Sequence, residues 1–145
     1  MTAADVMEVE AANEQLYAAF ESGDLDAMSQ LWVDGSLAKL ARCIHPGSEV
    51  IVGREGVLRS WALLMANTSY LQFIVTETDT VIDGDLAVVT CTENVLSSDG
   101  DDDPLGAGRA LATNGFIRIE GRWHMWLHHA SPVLTDLPAL DEDDE

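Results

Sequence analysis

The segment YLQFIVTETDTVI-DGD-LAVVTCTENVL, residues 70–96, decides how this chain folds. Its two flanks are rich in Val, Ile, Thr and aromatic side chains, which suit a pleated, half-buried surface. Asp83-Gly84-Asp85 between them is a tight-turn signal, so 70–82 and 86–96 are predicted to pair as a hairpin. A second pair, 109–119 and 122–130, closes around Glu120-Gly121, with the polar, Gly-rich stretch 98–108 as a long loop between the two. Pro132 and Pro138 bracket an irregular exit.

Upstream of residue 70 the period is helical. Val6, Val9, Leu16, Ala19 and Phe20 form one stripe over 5–22, with Glu8, Glu10, Glu14 and Glu21 off it. Gly23 suits the left-handed residue past a helix end, and Asp24 suits the N-cap of a second helix carrying Leu25, Met28, Leu31 and Trp32. Residues 37–45 are predicted to run extended up to the Pro46-Gly47 turn, followed by a short apolar piece over 50–52. The third helix, 53–67, has Val57, Leu58, Trp61, Leu64 and Met65 on one side. Helices first and long strands afterwards mean α+β segregation rather than alternating βαβ units. The expected architecture is a cone: a curved antiparallel sheet packed against three N-terminal helices, with a cavity where they fail to meet. Residues 1–132 would form this domain and 133–145 an irregular acidic tail.

The 145 residues suffice for one domain with a genuine core. Acidic groups number 26 against 7 basic ones, a net charge of −19 that repels phosphate backbones and anionic lipids, so neither a nucleic-acid nor a membrane partner is expected. No apolar run approaches the roughly 20 residues of a membrane-spanning helix. The first residues carry acids and no Lys or Arg, unlike a signal peptide, so a cytoplasmic address is expected. Cys43 and Cys91, the two cysteines, read as reduced core residues rather than a disulfide.

Several stretches carry a family resemblance. Leu16-Tyr17-Ala18-Ala19-Phe20-Glu21-Ser22-Gly23-Asp24-Leu25-Asp26, then Leu31-Trp32, His45-Pro46-Gly47, Gly53-Arg54-Glu55-Gly56-Val57 with Ser60-Trp61, Gly121-Arg122-Trp123, and His128-His129-Ala130-Ser131-Pro132 occur in order. Over roughly residues 8–132 the chain resembles the SnoaL-like superfamily that also contains ketosteroid isomerase and nuclear transport factor two. The resemblance implies a cystatin-like α+β barrel, a homodimer and a pocket. Because that superfamily holds isomerases, cyclases, dehydratases and non-catalytic binding modules, it does not imply one activity.

Three candidates for chemistry follow. His45 precedes Pro46 as the catalytic Asp of ketosteroid isomerase precedes a Pro, and an imidazole there could act as a general base or bond a backbone group at the turn. Asn114 falls near the acid of that enzyme's oxyanion hole and could donate to an oxyanion, or be an ordinary half-buried polar residue. Counting back from Gly23, Leu16 takes the place of that hole's Tyr, with Tyr17 one residue off on another helix face. Glu93 shares a strand face with Ala87, Val89, Cys91 and Val95, so it must be a pocket acid or the partner of a buried cation such as Arg118 or a protonated His.

Tyr17, Trp32, Trp61, Met65, Phe116, Trp126 and His128 are the candidate ligand-contacting residues, although the Trp and Met side chains would serve equally as core. By alternation His124, Trp126 and His128 should share a face and His129 the other. The histidines lack zinc spacing, and a calcium register begun at Asp99 would put Pro104 where Gly is required. Neither a metal nor an organic cofactor is expected. The functional expectation is a small hydrophobic carbonyl compound handled by acid–base isomerisation, cyclisation or dehydration; the alternative is a non-catalytic ligand-binding or dimeric assembly module.

Overall fold

The computed structural model describes residues 1–98 and 106–134. Of the loop expected over 98–108, Ser98 and residues 106–108 belong instead to strands, because pairing of the two strands continues to that point. The remainder, like most of the acidic tail, lies outside the described residues. In order come helices α1 (Ala3–Ser22) and α2 (Leu25–Leu31), a 3-10 turn (Gly35–Leu40), strands β1 (Arg42–Ile44) and β2 (Ile51–Val52), helix α3 (Arg54–Asn67), and the long strands β3 (Tyr70–Asp83), β4 (Leu86–Ser98), β5 (Gly106–Ile119) and β6 (Arg122–Pro132). The helices pack on a single curved, unclosed sheet of strand order β2-β1-β6-β5-β4-β3. The long strands are antiparallel throughout, while β1 joins β6 in parallel. No helix among the described residues is long and apolar enough to cross a membrane.

Local chemistry accounts for most boundaries. Thr2 and Asp5 form a reciprocal capping box on α1. Gly23, in the left-handed region at φ 66°, ends α1 by donating to the Ala19 and Phe20 carbonyls. Asp24 then caps α2 by accepting the Ala27 amide at 3.0 Å. Asp24→Ala should therefore cost about 1 kcal/mol of stability, read as a lower urea midpoint at unchanged slope.

The extended run predicted over 37–45 is mostly absent. Residues 35–40 instead form a 3-10 turn, and only Arg42–Ile44 pair as a strand. Leu37 to Arg42 contain helix formers and no β-branched side chain, so nothing local favours a strand before Ile44. His45 consequently stands just past the end of β1.

Two bulges shape the sheet. On β3 the register slips between Thr76 and Asp79, with Glu77 at φ 55°. On β6 it slips so that Gly115 opposes Leu127 while Phe116 opposes Met125, leaving Trp126 as the extra residue. The second bulge corrects the expected alternation. Trp123 and Met125 are buried, but beyond Trp126 the buried residues are His128 and Ala130. His124 and His128 thus face opposite sides of the sheet. Gly115 is required here: a Cβ would come within 2.9 Å of the Trp126 indole nitrogen, which lies across the strand from it.

Candidate functional site

A cavity of about 280 Å³ opens between α1, α3 and the concave face of β3–β6. Its walls include Phe20, Trp61, Leu64, Leu71, Phe73 and Val95, and its polar lining is Tyr17, His45, Thr68, Glu93, Ser97 and His128. The aromatic rings form one continuous arc. Tyr17 and Phe20 each contact Phe73, at 5.0 and 5.5 Å between centroids, and Trp61 contacts Phe20, His45 and His128 at 5.0, 4.7 and 5.3 Å. These are the spacings of tilted and edge-to-face pairs, the arrangements aromatic rings prefer.

Register brings the polar groups together. Glu93 projects inward from β4, Asn114 from β5 and His128 from β6, and Asn114 pairs directly with His128. Tyr17 reaches them from α1. Its hydroxyl donates to Glu93 Oε2 at 2.7 Å and accepts from Asn114 Nδ2 at 3.1 Å. The same Nδ2 donates to Asn13 Oδ1 at 2.7 Å, and Asn114 Oδ1 meets His128 Nδ1 at 2.6 Å. His45 stands outside this network, with Nε2 2.9 Å from Ser60 Oγ.

Burial sets the protonation preferences. Desolvation pushes the Glu93 carboxyl up, only partly offset by the Tyr17 hydrogen bond. Desolvation also lowers His45 and takes His128 down to about 3. Both imidazoles are thereby held neutral while the carboxyl is biased toward its acid form. Because His128 binds a proton more weakly folded than unfolded, its stabilising contribution is complete above its unfolded pKa of about 6.5 and is lost as pH falls toward 3. Glu93 acts oppositely, losing stability as pH rises above the unfolded carboxylate range. A His128→Gln variant should therefore show a flatter loss of urea midpoint between about pH 6.5 and 4 than the parent.

The sequence candidates separate into two groups. Tyr17, His45, Trp61, Glu93 and His128 line the cavity; Trp32, Met65, Asn114, Phe116 and Trp126 do not. Trp32 is fully buried at the end of α2, bridged to Met125. Phe116 is fully buried between the Ala87 and Met125 positions. Met65 is half-buried against the core, its neighbour Leu64 reaching the cavity instead, and Trp126 is displaced by its bulge. Asn114 has both ends of its amide engaged inside the protein, so an oxyanion-donor role is corrected to a supporting one. Leu16 and Tyr17 are both buried, and it is the Tyr17 hydroxyl that reaches Glu93. Arg118 does not pair with Glu93. It lies at the opposite end of the β4–β5 pair and bonds Asp5 and Asp85.

Sequence reading missed Asn13, Phe20, Phe73 and Ser60. Asn13 had a usable signal: it sits one helical turn from both Val9 and Leu16, a polar side chain on the buried stripe. Both cysteines are free and buried, with desolvation raising the Cys43 thiol to about 12. Among the described residues no three His, Cys, Asp or Glu side chains converge as a metal site.

N-terminal helices closing the concave side of one curved sheet over an aromatic-walled pocket define a cystatin-like α+β protein. Residues 9–135 match the family described as the SnoaL-like domain, and the chain belongs to that family. It is similar to a solved candidate dehydratase of the NTF2-like family from Streptomyces avermitilis, at 44% identity and TM-score 0.87, covering 92% of this chain and 100% of that one. A second solved relative, from Thiobacillus denitrificans, carries the name of a candidate calcium/calmodulin-dependent protein kinase type II association domain. It is 30% identical with TM-score 0.72, covering 86% of this chain and 94% of that one. The F-box protein SKIP8 of Arabidopsis thaliana is 34% identical over 124 residues, 86% of this chain; the match spans only 49% of that longer protein.

Proposed function

We propose that this protein is a small-molecule lyase or isomerase working by general acid–base chemistry on a hydrophobic hydroxy-carbonyl compound. The observation that carries the reading is one aromatic cavity holding a carboxyl biased toward its acid form beside imidazoles biased toward their neutral form. Environments that push titratable groups apart in this way assign a proton donor and an acceptor. His45 is the base. The Ser60 hydroxyl gives its own proton to the Val57 carbonyl at 2.7 Å, so it accepts from His45 Nε2–H, and Nδ1 keeps the lone pair.

In a dehydration, His45 Nδ1 would take the proton α to the carbonyl while Glu93 protonates the departing β-hydroxyl. The C–H and C–O bonds break, a C=C bond forms and water leaves. The proton on His45 then returns to the Glu93 carboxylate, restoring both groups. The dehydratase name of the Streptomyces relative supports this choice among the acid–base reactions. A panel of cyclic β-hydroxy ketones, followed by the ultraviolet absorbance of the enone product, tests it. Saturable turnover that disappears in His45→Gln is the expected result; recovery of every compound unchanged despite measurable binding would favour the non-catalytic module.

The reading includes a homodimer. Val81, Leu86, Val88 and Leu111 are exposed together on the convex sheet face, an apolar surface that a second copy would cover. Light scattering should give twice the monomer mass, shifting to monomer in Val88→Lys.

A further inference from the structure

We infer that the pocket selects ligands carrying a hydroxyl donor, and that His128 Nε2, fixed by Asn114 and Asn13, is the acceptor that selects them. This rests on the pocket being a ligand site, as proposed above, but not on any chemical step.

Counting protons along the network leads there. Tyr17 has one hydroxyl proton, and it goes to Glu93. The Tyr17 oxygen must then accept from Asn114, whose Nδ2 also donates to Asn13. These two bonds orient the Asn114 amide with its oxygen toward His128. A carbonyl oxygen only accepts, so His128 Nδ1 carries the hydrogen. The remaining ring nitrogen, Nε2, is a bare lone pair on a side chain that lines the cavity, and it has no protein partner among the described residues.

Neutrality keeps Nε2 in this role. His128 faces Asn114 across the β5 pair, His45 at 6.2 Å, Trp61 at 5.3 Å and, from β1, Cys43 in register. None of these is an anion that could hold a proton on the ring. An ether or methyl group placed against Nε2 would strip its water and give nothing back, whereas a hydroxyl replaces that water. The lost hydrogen bond is worth roughly 10- to 100-fold in affinity, or about 1.4–2.8 kcal/mol.

Two measurements on the whole protein decide the matter. Long-range proton–nitrogen spectra of the 15N-labelled protein should show His128 as the Nδ1–H tautomer near neutral pH. In binding titrations, 2-naphthol should bind at least 10-fold more tightly than 2-methoxynaphthalene, which keeps the oxygen acceptor and lacks the donor. Asn114→Leu should release the tautomer and collapse that ratio toward one. An Nε2–H tautomer in the parent protein, equal affinities for the two probes, or no saturable binding of 2-naphthol overturns the inference. The parent spectra and titrations need no variant to fold. Loss of turnover without loss of this preference would instead count against the acid–base proposal alone.

Discussion

Glu93→Gln should lower turnover of a hydroxy-carbonyl substrate by about 10²- to 10⁴-fold while leaving the fold intact. Gln matches Glu in volume, and its carbonyl oxygen can still accept the Tyr17 hydroxyl that lies 2.7 Å from the native carboxyl. What disappears is the transferable proton. A residue whose only task was to satisfy Tyr17 would give no such loss, so kinetics separate the two roles. Stability supplies a second check. The native carboxyl binds its proton more tightly folded than unfolded, so it is a liability once the pH exceeds the unfolded carboxylate range. The Gln variant should therefore be at least as resistant to urea as the parent at pH about 8, by circular dichroism. A marked drop there would show that Glu93 acts as an ionised structural partner, contrary to the proposal.

Phe116→Ala should cost about 3–5 kcal/mol, a large part of the 5–15 kcal/mol that typically holds a domain of this size together. Phe116 is completely buried and its strand neighbours across β4 and β6, Ala87 and Met125, are buried too. Such a site, closed by buried neighbours on both flanking strands, cannot collapse to fill the space left by a lost ring. Because Phe116 is not part of the cavity lining, the variant that remains folded should bind 2-naphthol as the parent does. Urea unfolding gives the first quantity and a titration at low temperature the second. A fall in stability under about 1 kcal/mol, or loss of binding in the folded variant, would contradict this placement.

Residues 70–96 and 109–130 were legible because their information is local. Period-two alternation and the Asp83-Gly84-Asp85 and Glu120-Gly121 turns define hairpins without reference to the rest of the chain. In the second turn Glu120 and Gly121 both have positive φ, as a two-residue connection between twisted strands requires. Inward Glu93 was legible for the same reason, since four apolar residues of its own strand mark its face. The bulge at Trp126 was not. One extra residue reverses the phase of everything after it, and no side chain in Trp123 to His128 announces where the slip occurs.

By itself, then, the sequence determined the order of the helices and long strands, the two hairpin pairings and the shared strand face of Glu93 with its apolar neighbours. Tertiary structure decided which polar groups meet. Strand register set Asn114 against His128, and the rotation of α1 brought Asn13 and Tyr17 into the same network. Propensity and periodicity act over a few residues, whereas those hydrogen bonds join groups 14 to 101 positions apart. Their geometry exists only once the helices have closed over the sheet.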